Sequence, residues 1–171
     1  MHQRFHQKGF TLVEMILYVA ICSLFLLTLS TFLSYLLQAR VRSQAIAEVN
    51  QQGTQVMYMM TETIRNGRTI NTPSIGATST TLSVTTGVPL LDPTVFSVGT
   101  GTVYITEGSR AAVALTNSRV IVSNFVLSNI SSASSTDRIV RISFTLDYKT
   151  QSSKTEYSLT KGFTGSATLR Q

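Results

Sequence analysis

The residues that could do chemistry lie near the beginning of the chain. Glu14 is the only charged side chain between Phe10 and Leu37. A carboxylate in an apolar span costs about 2.5–3.5 kcal/mol on insertion scales, so such a charge persists when it has a partner. Gly9 gives a protease a backbone without a side chain, and a cut before Phe10 would create an α-amine four residues upstream of Glu14. After a cut between Gly9 and Phe10, the new N-terminus of the same or a neighbouring chain would be one candidate partner of Glu14.

Other reactive residue types are scarce, which argues against an enzyme. His2 and His6 both precede the expected cut, and Cys22 is the only cysteine. A cysteine within an apolar stretch usually behaves as a small apolar residue. A single cysteine cannot form an intrachain disulfide. The serines form no nucleophile-elbow motif and have no candidate base. We therefore expect no catalytic residue, no metal site and no cofactor.

The overall charge excludes little. The formal net charge of the 171 residues is +6, and removing Arg4 and Lys8 with the first nine residues leaves 6 − 2 = +4 from side chains. The basic residues are scattered, which is more typical of a solvated surface than of a nucleic-acid site.

Four segments are expected to position these residues. Residues 1–9 are short, basic and polar, typical of a cytoplasmic leader, with Gly9 before the apolar run rather than after it. Residues 10–37 are long and apolar enough to cross a membrane as a helix. Residues 38–66 continue that helix with one apolar face, and residues 67–171 are rich in Ser, Thr and β-branched residues, as in a β domain.

The apolar face of the helix recurs at steps of three to four residues. Its members are Val41, Ala45, Val49, Gly53, Val56, Met60 and Ile64. Asn66 and Gly67 are predicted to stop the helix, because both tolerate the left-handed conformation.

The β domain is expected to be antiparallel. Residues 140–149 alternate strictly between apolar and polar, and with residues 155–161 they predict a hairpin turning at 150–153. A second hairpin is predicted at Gly99-Thr100-Gly101, and residues 69–81 are predicted to be a loop. The remaining strand candidates are residues 80–86, 94–98, 102–106, 111–115 and 119–127.

The string from Lys8 to Glu14, KGFTLVE, resembles the class III signal sequence of type IV pilins and pseudopilins. The resemblance implies that a membrane prepilin peptidase cuts between Gly9 and Phe10 and N-methylates Phe10. It also implies that Glu14 pairs with the N-terminal amine of an adjacent subunit. The implied fold is α+β, a long N-terminal helix packed against an antiparallel β domain that faces outward from a filament. Implied partners are other pilin subunits, the assembly platform and the cytoplasmic membrane. The implied topology is a single membrane pass, with the N-terminus in the cytoplasm and the C-terminal domain outside it. After assembly, the subunit would lie in a periplasmic or cell-surface filament.

Two further features indicate a minor subunit. The helix exit Glu62-Thr63-Ile64-Arg65-Asn66-Gly67 looks like that of J-type minor pseudopilins and W-type minor pilins. The chain also lacks the C-terminal cysteine pair of many major pilins. Type IV pili, type II secretion filaments and DNA-uptake filaments all remain candidates for the machine.

Two alternatives stay open. An uncleaved, signal-anchored extracytoplasmic binding domain would retain Met1 in the mature protein. A competence pseudopilin would bind DNA through its mild positive charge. Asn129-Ile130-Ser131 also fits an N-glycosylation pattern, which we interpret as chance.

Overall fold

The computed structural model describes residues 11–133, 137–149 and 159–169. The chain divides into two compact units, Met1–Arg42 and Ser43–Gln171. The first unit contains the apolar beginning of a helix. The second unit contains the end of that helix and all the described strands.

Helix α1 spans Leu12–Asn66 as a single element of 55 residues. Its buried residues are Ala45, Val49, Gly53, Val56, Met60 and Ile64, which confirms six of the seven members of the predicted apolar face. Val41 is the exception, with 42% of its surface exposed. The burial of the helix therefore begins at Ala45, within the second unit.

Nine strands form two antiparallel sheets. They are β1 (Thr69–Thr72), β2 (Thr78–Ser79), β3 (Thr81–Thr85), β4 (Thr94–Gly99), β5 (Thr102–Glu107), β6 (Val113–Ala114), β7 (Val120–Asn129), β8 (Ile139–Tyr148) and β9 (Thr160–Thr168). The five-stranded sheet has the order β1-β3-β4-β5-β6, and the four-stranded sheet has the order β2-β7-β8-β9. The α+β architecture with an antiparallel β domain, expected from the sequence, is confirmed.

One hydrophobic core joins the helix to both sheets. Burial of these side chains is the main force that holds the second unit together. The core consists of Val49, Val56, Met60, Ile64, Leu82, Val84, Phe96, Val103, Ile105, Val120, Val122, Phe125, Leu127, Val140, Ile142, Phe144, Leu146 and Ala167.

Two glycines bring backbone and side chains close together in this core. A Cβ atom on Gly53 would lie 2.1 Å from Cζ of Phe163, so the ring of Phe163 sits against bare helix backbone. A Cβ on Gly165 would lie 2.9 Å from Sδ of Met57. Small residues therefore allow β9 to approach α1 closely.

The alternation predicted for β8 is present. Val140, Ile142, Phe144 and Leu146 are buried, and the residues between them are not. In β7 the alternation changes phase at a bulge, where Ser123 pairs with Thr145 but the next pair is Val126 with Ser143. The extra residue reverses which positions of β7 face the core.

The predicted hairpin of β8 with a following strand is present, with Asp147 paired to Thr160. β9 covers Thr160–Thr168 and so continues beyond the predicted end at residue 161. Residues 155–158 of the predicted strand lie outside the described residues. The predicted turn at 150–153 lies outside the described residues. Gly162 and Gly165 lie within this extension, and β9 accommodates them at the edge of the sheet.

Two other predictions need correction. Residues 69–81 are not a continuous loop, since they contain β1 and β2. The helix does end at Asn66, but Gly67 is not among the residues with positive φ. A Cβ on Gly67 would lie 2.4 Å from Cγ1 of Val84, so packing against β3 accounts for this glycine.

The predicted turn between β4 and β5 is confirmed at Gly99-Thr100-Gly101. Thr100 has φ 50° and Gly101 has φ 74°, the left-handed conformations that a tight hairpin turn requires. The predicted strand at 111–115 is shorter in the structure, where β6 holds only Val113 and Ala114.

Candidate functional site

The first turn of α1 is capped by Thr11. The hydroxyl oxygen of Thr11 accepts a hydrogen bond from the backbone N–H of Glu14 at 3.3 Å. The carbonyl of Thr11 accepts from the N–H of Met15 at 3.2 Å, which begins the helical ladder. The Thr-x-x-Glu spacing is that of a capping box. Thr11 therefore begins the helix at a defined residue.

Glu14 lies in this first turn, where the partial positive charge of the helix N-terminus favours a carboxylate. Its Oε1 atom accepts a hydrogen bond from the hydroxyl of Tyr18 at 3.2 Å. Glu14 is half-buried, whereas its neighbours along the helix are exposed. A carboxylate held this way is oriented by its own helix and remains accessible.

The helix around Glu14 exposes apolar side chains along its length. From Leu12 to Gln44 every residue except Glu14 is exposed. Leu24, Phe25 and Leu27 have between 66% and 68% of their surface exposed. Apolar surface of this extent marks contact with a membrane or with other proteins. By its length and composition, α1 could cross a membrane, and it is the one such helix in the described part of the chain.

Four serine and threonine hydroxyls of this stretch bond within the helix. Ser23, Thr28, Thr31 and Ser34 each donate to a backbone carbonyl three or four residues earlier, at 2.8–3.0 Å. Such bonds satisfy a hydroxyl without water, so the stretch is compatible with an apolar environment.

The other predicted site residues are placed as follows. Gly9 and Phe10 lie outside the described residues. Cys22 is free and exposed on α1. Among the described residues, no group of three or more His, Cys, Asp or Glu side chains could hold a metal ion.

Asn129, the asparagine of the glycosylation pattern, is buried and hydrogen-bonded within the fold. The Asn129 side chain is 3% exposed. Its Nδ2 donates to the carbonyl of Pro73 at 2.8 Å, and its Oδ1 accepts from the hydroxyl of Ser131 at 2.6 Å. A buried amide with these partners joins the β1–β2 loop to the end of β7.

Sequence reasoning missed two partners of Glu14. Thr11 caps the turn, and its three-residue spacing to Glu14 carried that signal. Tyr18 follows Glu14 by four residues, the distance at which helical side chains meet. Thr11 lies within the string from Lys8 to Glu14, which was interpreted only as a cleavage junction, and Tyr18 lies four residues beyond its end.

Comparison with protein families gives one match at this end of the chain. Residues 4–30 match the model of the prokaryotic N-terminal methylation motif. Neither the curated proteins nor the solved structures gave a match to the chain.

The motif and the apolar helix together support a type IV pilin-like subunit. The motif implies processing by a prepilin peptidase and assembly with other pilin subunits. Proteins of this family are structural in general, and a membrane-anchored chain fits both the motif and the exposed apolar helix.

Proposed function

We propose that the chain is a minor subunit of a type IV pilus-like or type II secretion-like filament. The observation that carries the proposal is the methylation motif at residues 4–30, which overlaps the beginning of a capped, apolar helix. The minor rank is supported by the helix exit at Glu62–Gly67 and by the lack of a C-terminal cysteine pair.

The processing step is a cut between Gly9 and Phe10, followed by N-methylation of Phe10. Residues 1–9 are then the leader, 10–37 the membrane and filament-core half of the helix, 38–66 its amphipathic half, and 67–171 an extracytoplasmic β domain. Before the cut the N-terminus lies in the cytoplasm, in keeping with Arg4 and Lys8 in the leader. After assembly the subunit lies in a periplasmic or surface filament.

Glu14 is the assembly residue in this proposal. Its carboxylate pairs with the N-terminal amine of an adjacent subunit, which neutralises two charges among apolar helices. The bond from Tyr18 is compatible with this role, because it leaves the charge of the carboxylate in place. A charged partner is therefore still favourable for the carboxylate.

The first experiment tests processing. The chain is co-expressed with a prepilin peptidase, and the membrane-extracted protein is weighed by intact mass spectrometry. Loss of residues 1–9 and gain of one methyl group are expected, and a Gly9→Leu variant should remain uncut. An intact Met1 beside an active peptidase would contradict the proposal and favour the uncleaved anchored domain.

The second experiment separates processing from assembly. Glu14→Gln keeps the size of the side chain and removes its charge, so cleavage should persist while incorporation into filaments is lost. Tyr18→Phe removes only the hydroxyl donor and should retain incorporation. Normal incorporation of Glu14→Gln would refute the assembly role even if the cut occurs.

A further inference from the structure

β9 is the longest strand at a sheet edge among the described strands. The other edge strands are β1 with four residues and β2 and β6 with two each, whereas β9 has nine. Proteins usually keep edge strands short, or protect them with proline, charges or bulges, because an open edge pairs with other chains.

β9 lacks these protections. It contains no proline, and its register with β8 is continuous over nine residue pairs. Its single charge is Lys161, at one end. The Nζ atom of Lys161 donates to Oδ1 of Asn50 at 2.5 Å and lies 5.4 Å from the ring centroid of Phe163. The ammonium group therefore contacts Asn50 and Phe163 of the same chain, and does not project from the edge where it would oppose pairing with another strand.

The main chain of β9 presents hydrogen-bonding groups on the side away from β8. At one end of the hairpin the N–H of Tyr148 bonds to the carbonyl of Leu159, and at the other the N–H of Leu169 bonds to the carbonyl of Arg138, both at 2.8 Å. In an antiparallel ladder, residues alternate between bonding to the partner strand and pointing away from it. The residues that point away are Thr160, Gly162, Thr164, Ser166 and Thr168.

A cavity lies beside this edge, against α1. Its volume is about 320 Å³, and Thr54, Met57, Tyr58, Thr61, Phe163 and Thr164 line it. None of these side chains is charged. Tyr58 is 66% exposed, so the helix side of this cavity offers accessible aromatic surface.

We propose that β9 and this cavity bind an extended segment of a second polypeptide, which adds a strand to the four-stranded sheet. The segment is uncharged and apolar at every second residue, because one of its faces meets the uncharged cavity. An extended polypeptide is the matching occupant, since its donors and acceptors repeat every two residues, about 6.8 Å, as those of β9 do.

This inference goes beyond the filament role and does not depend on it. The edge and the cavity belong to the second unit, whereas the methylation motif and Glu14 belong to the first. A failure at one would leave the other standing.

The test uses the full chain in detergent micelles and a defined probe. The probe is a ten-residue peptide of alternating valine and threonine, with blocked ends. A control peptide has proline at two central positions. Amide hydrogen exchange is followed by NMR, with and without peptide.

The expected result is a change at alternate residues of β9. The amides of Gly162, Thr164 and Ser166 should exchange quickly in the free protein and at least about tenfold more slowly with the probe. The amides of Phe163 and Gly165, already bonded to β8, should change little. Fast-exchanging amides that stay unchanged with the probe, or protection of all five residues before peptide is added, would overturn the proposal.

Two variants at one position separate main-chain pairing from side-chain effects. Thr164→Pro removes one outward N–H and leaves the ladder with β8 intact, so binding should weaken about tenfold. Thr164→Val keeps that N–H and should bind within about twofold of the unchanged chain. Equal affinity of the two variants would rule out strand addition, and the exchange pattern of the unchanged chain decides the matter if Thr164→Pro does not fold.

Discussion

Replacing Gly53 by alanine tests how α1 is attached to the sheet. In an exposed helix interior, this substitution stabilises by about 1 kcal/mol, because alanine restricts the unfolded chain and favours the helix. Here the new Cβ would lie 2.1–2.5 Å from three ring carbons of Phe163. Such distances cannot persist, so the ring must move away from the helix.

The magnitude follows from what the ring loses. Phe163 stacks on Phe144 with ring centroids 5.3 Å apart and planes at 16°, an arrangement worth about 0.5–1.5 kcal/mol. Phe163 is only half-buried, so its displacement forfeits part of the roughly 1.5–3 kcal/mol that full burial provides. If about half of that burial contribution is lost, subtracting the helix preference of about 1 kcal/mol leaves Gly53→Ala destabilising by about 0.3–2 kcal/mol.

The assay is urea unfolding of the full chain in detergent, followed by near-ultraviolet circular dichroism of tyrosine and phenylalanine. The control is the same substitution in a Phe163→Ala background, where no ring opposes the new methyl group. There Gly53→Ala should stabilise the protein by about 1 kcal/mol, so its effect on the free energy of unfolding has opposite signs in the two backgrounds. Stabilisation by Gly53→Ala in both backgrounds would refute the packing argument.

Three further substitutions test other contacts by the same unfolding assay. Gly67→Ala should destabilise the protein by about 1–3 kcal/mol, because its Cβ would lie 2.4 Å from Cγ1 of Val84. An unchanged stability would mean that the end of the helix can move away from Val84 at no cost. Asn129→Ala should destabilise by about 2–3 kcal/mol, since it leaves buried groups without their hydrogen bonds, and a change below 0.5 kcal/mol, roughly the range of a surface substitution, would contradict its role. Arg119→Ala should change stability by less than about 1 kcal/mol, because its ion pair with Glu48 is 3.8 Å long and the arginine side chain is 69% exposed; a larger loss would show that the pair matters.

The signals that indicate the candidate site are local, so the sequence alone contains them. The charge isolated at Glu14, the small residue at Gly9 and the apolar run depend only on neighbouring residues. The residues matched by the methylation motif, 4–30, cover the same string. The burial of six residues of the helix face was also predictable, since helical periodicity decides which residues share a side.

The strands that could be predicted from the sequence are likewise those whose signals are local. The alternation of β8 is strict, so its buried face could be assigned from residue types alone. The continuation of β9 beyond residue 161 was not predicted. Gly162 and Gly165 are weak strand formers, and their suitability depends on neighbours distant in sequence. At Gly165 that neighbour is Met57.

Residue order by itself therefore determined the membrane-type helix, the isolation of Glu14 within its apolar half, and an antiparallel β domain. Tertiary structure alone decided the order of the strands, the phase change in β7, and the pairing of Gly53 with Phe163. The physical reason is range. Periodicity and charge isolation act over a few residues, whereas close packing joins Gly53 to a ring 163 − 53 = 110 residues away, where local sequence has no influence on which side chain fills the space.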